Sequence, residues 1–407
     1  VSQAAHTPDR RLPLQGYRVL DVGTMIAAPY CASILGEFGA EVIKVEMPGA
    51  GDPWRRFGTM TAAGSTLNWL NESRNKKSIT LDLRRPEGIA LFKRLIAKSD
   101  VVIENFRPGT FERWGLGYDV LEEIKPDLIF VRVSAYGQNG PYRDRPGYAR
   151  VAHAFGGLTY LAGEPGSRPV VPGSTSMADY ITGAYAAIGA LMALIARDRF
   201  GVGQSVDIGL YEGIFRMLDE TAPVYAKTGA VRERMGADTV NAVPHSHYET
   251  KDGRWVALAC SSDRMFERLA TVMGQPELVR PDRFATIAQR EAGRDEVNRI
   301  VAAWMCTKTL KELMTSCIEG DVPIGPINSI ADIFQDEHFK ARGNLVEMTD
   351  RREGKVVVPN VLPRLSGTPG EIRSLGPDLG QHNEEIYGGL LDLSADEVRR
   401  LREQKII

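Results

Sequence analysis

Short runs in which β-branched residues alternate with polar ones recur through residue 209, and stretches with apolar residues at helical spacing separate them. The run RVLDV at 18–22 leads into an apolar pattern of helical period that Pro29 opens and that ends near Gly39. A second strand, AEVIKVE, follows at 40–46. The same reading places strands at 78–82, 100–104, 127–133 and 204–209, and helices at 86–98, 118–124 and 179–199. Strands separated by helices of that length need crossover connections, which run parallel and bury both faces of the sheet. The fold class is therefore α/β, with an open parallel sheet in a large domain whose first part spans 1–224. Beyond Tyr225 the pattern changes: HSHYETKDGRWVALAC (245–260) alternates on both sides of an Asp-Gly turn signal, and helical stretches follow. A smaller α+β domain is expected over 225–325. From 331 mixed strand and loop lead to a terminal helix near 394–404.

At 407 residues the chain is long for one core, which agrees with two domains. Lys and Arg (50) balance Asp and Glu (52) to a net charge of −2, which argues against a general nucleic-acid binder. Cys31, Cys260, Cys306 and Cys317 form no C-x-x-C pair, so a reducing cytoplasm is expected. The N-terminal VSQAAHTPDRRLPLQG lacks the apolar stretch of a signal peptide, and no window approaches eighteen apolar residues. The most apolar helix, 180–196, reads as buried core, and no membrane association is expected.

No GxGxxG follows the first strand, and neither GxxxxGK[ST] nor GxSxG occurs. Nicotinamide, P-loop and α/β-hydrolase chemistry thereby lose their main sequence warrant. His245, His247 and Glu249 could serve a metal only if a strand put all three on one face. A hairpin with ordinary polar positions is the plainer reading, and no metal site is expected. Asp179, in STSMADYITGAYAAIGALMAL, stands at the entrance of the long helix. It reads either as part of an S-x-x-D capping arrangement with Ser176, or as a nucleophilic carboxylate kept ionised by the helix dipole. Basic residues gather in SRNKKSITLDLRRPEG (73–88) and NFRPGTFERWG (105–115), at strand or helix ends where an open sheet receives polyanions. Each stretch alone reads as a solvated charged face. Together with Asp179 they point to a phosphate-bearing ligand whose reactive end reaches the carboxylate.

These segments resemble the family III CoA-transferases, which include formyl-CoA, carnitine and succinyl-CoA-dependent members and are similar in fold to α-methylacyl-CoA racemase. The resemblance is carried by LPLQGYRVLDVG (12–23), LGEFGAEVIKVEMPGAGDPWR (35–55), NKKSITLDLRRPEG (75–88), VVIENFRPGTFERWGLGYD (101–119), SAYGQNGPYRDRPGY (134–148), MADYITGAYAAIGALMAL (177–194) and GVGQSVDIGLYE (201–212). DVPIGPINSIADIFQDEHF (321–339) and LGQHNEEI (379–386) extend it over nearly the whole chain. It implies a Rossmann-like large domain to which 326–407 returns, and two chains interlocked as a dimer. A homodimer is the simplest assembly, and a hetero-oligomer with a homologous subunit is also compatible. The resemblance implies that Asp179 attacks an acyl-CoA donor to give an aspartyl anhydride, then an aspartyl-CoA thioester that a carboxylic acid acceptor resolves. Coenzyme A thioesters are then substrates, and no tightly bound cofactor is implied. CoA contacts are implied at Ile26, Ala27, Leu81, Arg84, Asn105, Phe106, Arg113 and Tyr148, with Arg84 and Arg113 as phosphate partners because a guanidinium fork suits phosphate oxygens.

Three positions depart from the pattern: Ile26 where some members have Gln, Met47 where some have Arg, and PGYARVAHA in place of PGYD…QA, which brings in Ala149 and His153. The glycine-run loop that shields the aspartyl intermediate in formyl-CoA transferase has no obvious counterpart between 225 and 260. The competing activity is racemisation of a CoA thioester, which needs a His/Asp pair for proton exchange. Racemases carry GHD where this chain has Gly147-Tyr148-Ala149, so only His153, in a different geometry, remains for that role. Similarity in VPHSHYETKDG and PVVPGSTSMADY leans toward dicarboxylate-handling members, whose distal carboxylate Arg145 or Arg150 could pair.

Overall fold

The computed structural model describes residues 12–407; the polar N-terminal stretch lies outside it through residue 11. The chain forms two compact units. One takes the chain through Leu158 together with Gly173–Lys227 and Gly343–Ile407; the other takes Thr159–Pro172 and Thr228–Arg342.

The first unit is built on six strands: β1 (Arg18–Asp21), β2 (Glu41–Glu46), β3 (Lys76–Thr80), β4 (Val101–Glu104), β5 (Ile129–Ser134) and β6 (Gln204–Gly209). Their order is β3-β2-β1-β4-β5-β6, all parallel. The order reverses between β1 and β4, as in a doubly wound sheet. Alternate residues feed two buried cores. Val19, Val42, Val101 and Val131 join helix α1 (Ala27–Glu37) and the long helix Met177–Phe200 on one face. Leu20, Ile43, Val102 and Phe130 join the helices Pro86–Ala97 and Ala395–Glu403 on the other. Strand β3 begins at Lys76 rather than at 78, because the Lys76 ammonium has a buried partner in Asp21 at 2.8 Å and need not stay in water. Edge strand β3 is covered by the returning tail: Asn383 Oδ1 accepts from Thr80 N at 2.9 Å, and Tyr387 donates to Thr80 O at 2.7 Å.

The long helix begins at Met177, two residues earlier than its apolar pattern, and lies along α1. Ala186, Ala187 and Ala190 are buried there, and a Cβ added at Gly183 would stand 2.6 Å from Ala27 O. Only small residues permit that approach. The reading of this helix as buried core holds for one face alone. Ile188, Met192 and Ile195, spaced four and three apart, are 45%, 65% and 53% exposed. Among the described residues it is also the one helix long and apolar enough to cross a membrane, with an 18-residue window of mean hydropathy 1.5, which the sequence reading did not anticipate. Length and composition meet that test, while the alanine face packs on α1.

The second unit holds a three-stranded antiparallel sheet of β7 (His245–Glu249), β8 (Trp255–Ala259) and β9 (Ile324–Pro326). Asp252-Gly253 turns the β7–β8 hairpin, with Gly253 at φ 68°. Tyr248, Val256 and Leu258 project into a core closed by Phe266, Leu269, Val301 and Leu313.

Candidate active site

The C-terminal ends of β1 to β4 open onto a cleft of about 120 Å³. Gly23, Met47, Leu81, Arg84, Phe106 and Trp114 line it. Ligands of doubly wound sheets bind at this end, beside the point where strand order reverses. Three residues implied by the resemblance, Leu81, Arg84 and Phe106, are in the lining. Asn105 stands beside it and clamps the exit of β1, accepting from Thr24 N at 2.8 Å and donating to Thr24 O at 2.8 Å. Phe106 is held by its N–H, which donates to Glu104 at 2.6 Å. Burial pushes the Glu104 carboxyl up to about 7 against the opposing pull of Arg132. Arg84 is 63% exposed, and Asp82 holds its guanidinium with two contacts of 2.8 Å. Arg113 and Tyr148 are exposed and do not line the cleft. Ile26 and Ala27 are buried at the start of α1, which no side chain caps.

A buried charge network, not anticipated from sequence, pins the loops around this cleft. Lys44 Nζ meets Asp52 Oδ2 at 3.0 Å and Asp21 Oδ1 at 3.5 Å, and donates to Gly23 O. Lys76 Nζ joins Asp21 Oδ2 and Pro29 O. Asp52 Oδ1 in turn accepts from Met25 N at 3.0 Å and Trp54 N at 2.8 Å. That bond holds Met25 at φ 64°, a conformation rare outside glycine, immediately before Ile26. The available signal was a lysine at a core position of the apolar strand EVIKVE, since a buried ammonium demands carboxylate partners.

The same pairing corrects the picture of 73–88 as a phosphate-seeking stretch. Arg74 is buried against Glu37 at 2.7 Å, Lys76 against Asp21, and Lys77 bridges Glu41 and Glu385 at 2.6 Å each. Arg84 and Arg85, exposed beyond the end of β3, are what the stretch offers at the cleft end of the sheet.

Asp179 is half-buried in the first turn of the long helix. Its carboxylate accepts no hydrogen bond and joins no ion pair among the described residues, and burial alone raises its pKa to about 7. The capping expectation from sequence does not survive. Ser176 makes no side-chain cap, so the S-x-x-D arrangement is absent, and burial rather than the helix dipole dominates the carboxylate's acidity. Asp179 precedes Gly183 by one turn, on the helix face that meets Ala27. Beside it, Tyr180 packs with Ile26, Trp54 and Trp69 and meets the Tyr30 ring edge-on at 5.0 Å. The structure thus gathers Asp179, Ile26 and Ala27 where α1 and the long helix begin.

His153 is buried in the helix Ala149–Phe155, and its Nε2 accepts from Ala178 N at 2.9 Å. That nitrogen is occupied, and no ion pair joins His153 to Asp179 among the described residues. Arg145 lies over the Tyr142 ring at 3.6 Å, and Arg150 is exposed beside His153. His245, His247 and Glu249 do share one face of β7 by alternation, yet among the described residues no group of three His, Cys, Asp or Glu is placed to hold a metal ion.

Residues 14–383 match the family model of CoA-transferase family III. The chain is 56% identical over 402 residues to the succinyl-CoA–L-malate CoA-transferase alpha subunit of Chloroflexus aurantiacus, covering 98% of this chain and 94% of that one. It is 53% identical over 398 residues to the beta subunit from the same organism, covering 97% and 98%. The crystal structure of a CAIB/BAIF family protein from Brucella suis superposes with a TM-score of 0.83 at 34% identity, over 93% of this chain and 100% of that one.

Proposed function

The chain belongs to CoA-transferase family III and moves coenzyme A between an acyl-CoA and a free acid; from that premise we propose that it takes CoA from succinyl-CoA to a small dicarboxylic acid, with Asp179 as covalent nucleophile. The observation that carries the reading is the isolation of Asp179. Asp21, Asp52 and Glu46 are buried and all engage ammonium, guanidinium or N–H partners, whereas Asp179 engages none. An unpaired carboxylate at a helix start is kept at a cost in stability, and a nucleophile needs its lone pairs free.

The steps balance without a co-reactant. Asp179 Oδ attacks the thioester carbonyl and expels CoA thiolate, which leaves a mixed anhydride. The thiolate then attacks the aspartyl carbonyl, releases the donor acid and forms aspartyl-CoA thioester. The acceptor carboxylate attacks that thioester and expels the thiolate once more, and the thiolate takes the acceptor acyl group, restoring Asp179. Each half-reaction, taken through its anhydride, exchanges one thioester for another and is near thermoneutral, so thioester energy is retained provided water is excluded. CoA phosphates fit Arg84, Arg85 and Arg113 at the exits of β3 and β4, with Phe106 and Trp114 as apolar wall. The names of the relatives support succinyl-CoA as donor and a dicarboxylic acid as acceptor.

The outer stripe of Ile188, Met192 and Ile195 supports a dimer in which a second copy covers the long helix. The relatives named as alpha and beta subunits make a homologous partner the alternative outcome. Four free cysteines, three of them buried, agree with a reducing cytoplasm.

Incubation with succinyl-CoA alone, followed by peptide mass spectrometry, should find a succinyl or CoA adduct on the peptide that carries Asp179, removable by hydroxylamine. Transfer to a panel of mono- and dicarboxylic acids is read by chromatography of the CoA esters. Full turnover by Asp179→Asn, verified free of deamidation, would end this reading.

A further inference from the structure

We propose that His153 is a positioning residue for Asp179: as a neutral imidazole it caps the long helix at Ala178 N–H, and so keeps that N–H from capturing the nucleophilic carboxylate. The proposal rests on the assignment of Asp179 as nucleophile given above.

The first N–H groups of a helix have no intrahelical acceptor and draw any nearby carboxylate. Here Asp179 N donates to Ser176 O at 2.9 Å, Tyr180 N to Ser176 O at 3.3 Å, and Ser176 offers no side-chain cap. Ala178 N–H goes instead to His153 Nε2, on a helix remote in sequence. An accepting Nε2 carries no proton, so the proton sits on Nδ1 and the ring is neutral. Protonation would lose the bond and set a buried cation against the positive end of the helix. Burial and the charge of Arg150 both hold the His153 pKa down, in agreement with that tautomer. Two helices pack against this one: the long helix, which carries Asp179, Tyr180 and Tyr185 in its first half and Arg197, Asp198 and Arg199 at its far end, and Leu210–Arg216, which carries Tyr211, Glu212 and Arg216.

Stability gives a weak reason for the arrangement, because Nδ1 is buried with no partner and its unmet hydrogen bond offsets the one Nε2 makes. Geometry gives a stronger one. With Ala178 N–H occupied, the N–H that precedes Asp179 in the chain is closed to its carboxylate, which remains unpaired.

The test compares His153→Gln with His153→Ala in the full chain. Gln offers an amide oxygen as acceptor and should stay within about threefold of wild-type kcat, since the cap geometry survives. Ala should lower kcat by roughly 10- to 100-fold with the KM for succinyl-CoA within about twofold, because misplacement of a reacting group acts on the chemical step. Its acid limb should also move to lower pH as the carboxylate gains the freed N–H. Wild-type kcat and acid limb in a folded His153→Ala, or a Gln variant as impaired as Ala, would overturn the proposal. Nitrogen-15 NMR of histidine-labelled enzyme gives a readout that needs no activity and no Ala variant: Nε2 of His153 should be unprotonated near about pH 7.5. A protonated Nε2 there refutes the cap. Absence of any adduct on Asp179 would instead remove the nucleophile assignment while leaving the tautomer result standing.

Discussion

Replacing Asp179 with Asn should make the protein more stable, and more so at alkaline than at acid pH. The folded pKa of about 7 stands above the ordinary 3.8, and burial is its cause. An acid whose pKa rises on folding costs nothing below its unfolded pKa, an increasing amount as pH climbs toward the folded value, and a constant amount above it. The rise from 3.8 to about 7, at roughly 1.4 kcal/mol per tenfold change in acidity, sets an upper bound of about 4 kcal/mol at pH 8 and roughly 1.5 kcal/mol at pH 5. Asn removes that charge penalty and gives up no hydrogen bond, because the carboxylate makes none. Its amide, half-buried without a partner, returns on the order of 1 kcal/mol. The net expectation is a gain of about 1–3 kcal/mol at pH 8 that shrinks to roughly zero at pH 5. Scanning calorimetry of both proteins at the two pH values, with refolding verified, measures it. A helix cap behaves oppositely: its loss destabilises by about 0.5–2 kcal/mol. A less stable Asp179→Asn at pH 8, or the same difference at both pH values, would refute the unpaired carboxylate.

The donor-only half-reaction should rise tenfold per pH unit below about 7 and level off above it, since only ionised Asp179 attacks; rapid-quench measurement of the succinate released from succinyl-CoA tracks this limb. Gly183→Ala forces a methyl to within 2.6 Å of Ala27 O, so it should destabilise by about 1–3 kcal/mol or more and depress transfer in whatever protein folds. Asn105→Ala loses both bonds to Thr24 and should cost roughly 1–3 kcal/mol, measurable by urea unfolding, with a higher KM for succinyl-CoA. Arg84→Ala should raise that KM by roughly tenfold with kcat retained, discounted because Asp82 already shares the guanidinium; unchanged KM would remove Arg84 from phosphate recognition.

Much of this protein was legible as pattern. The two-residue period of RVLDV, VVIE and LIFVRV and the helical period between them follow from side chains that must reach two cores from one sheet, and they yield parallel strands without any coordinates. Asp179 stood out as an acid at a helix entrance for the same local reason. Tertiary structure alone decided what those residues do. Lys76, read as a solvated charge, is core because Asp21 on a neighbouring strand neutralises it, and Lys44 is there because Asp52 comes back from a loop to meet it. Ser176 was the obvious local cap and does not serve, because an imidazole from another helix occupies Ala178 N–H. Period and propensity are carried by neighbours in the chain and can be read from one sequence. The partner of a buried charge or an open N–H is chosen by packing between segments remote in sequence, and the isolation of Asp179 is a property of that packing.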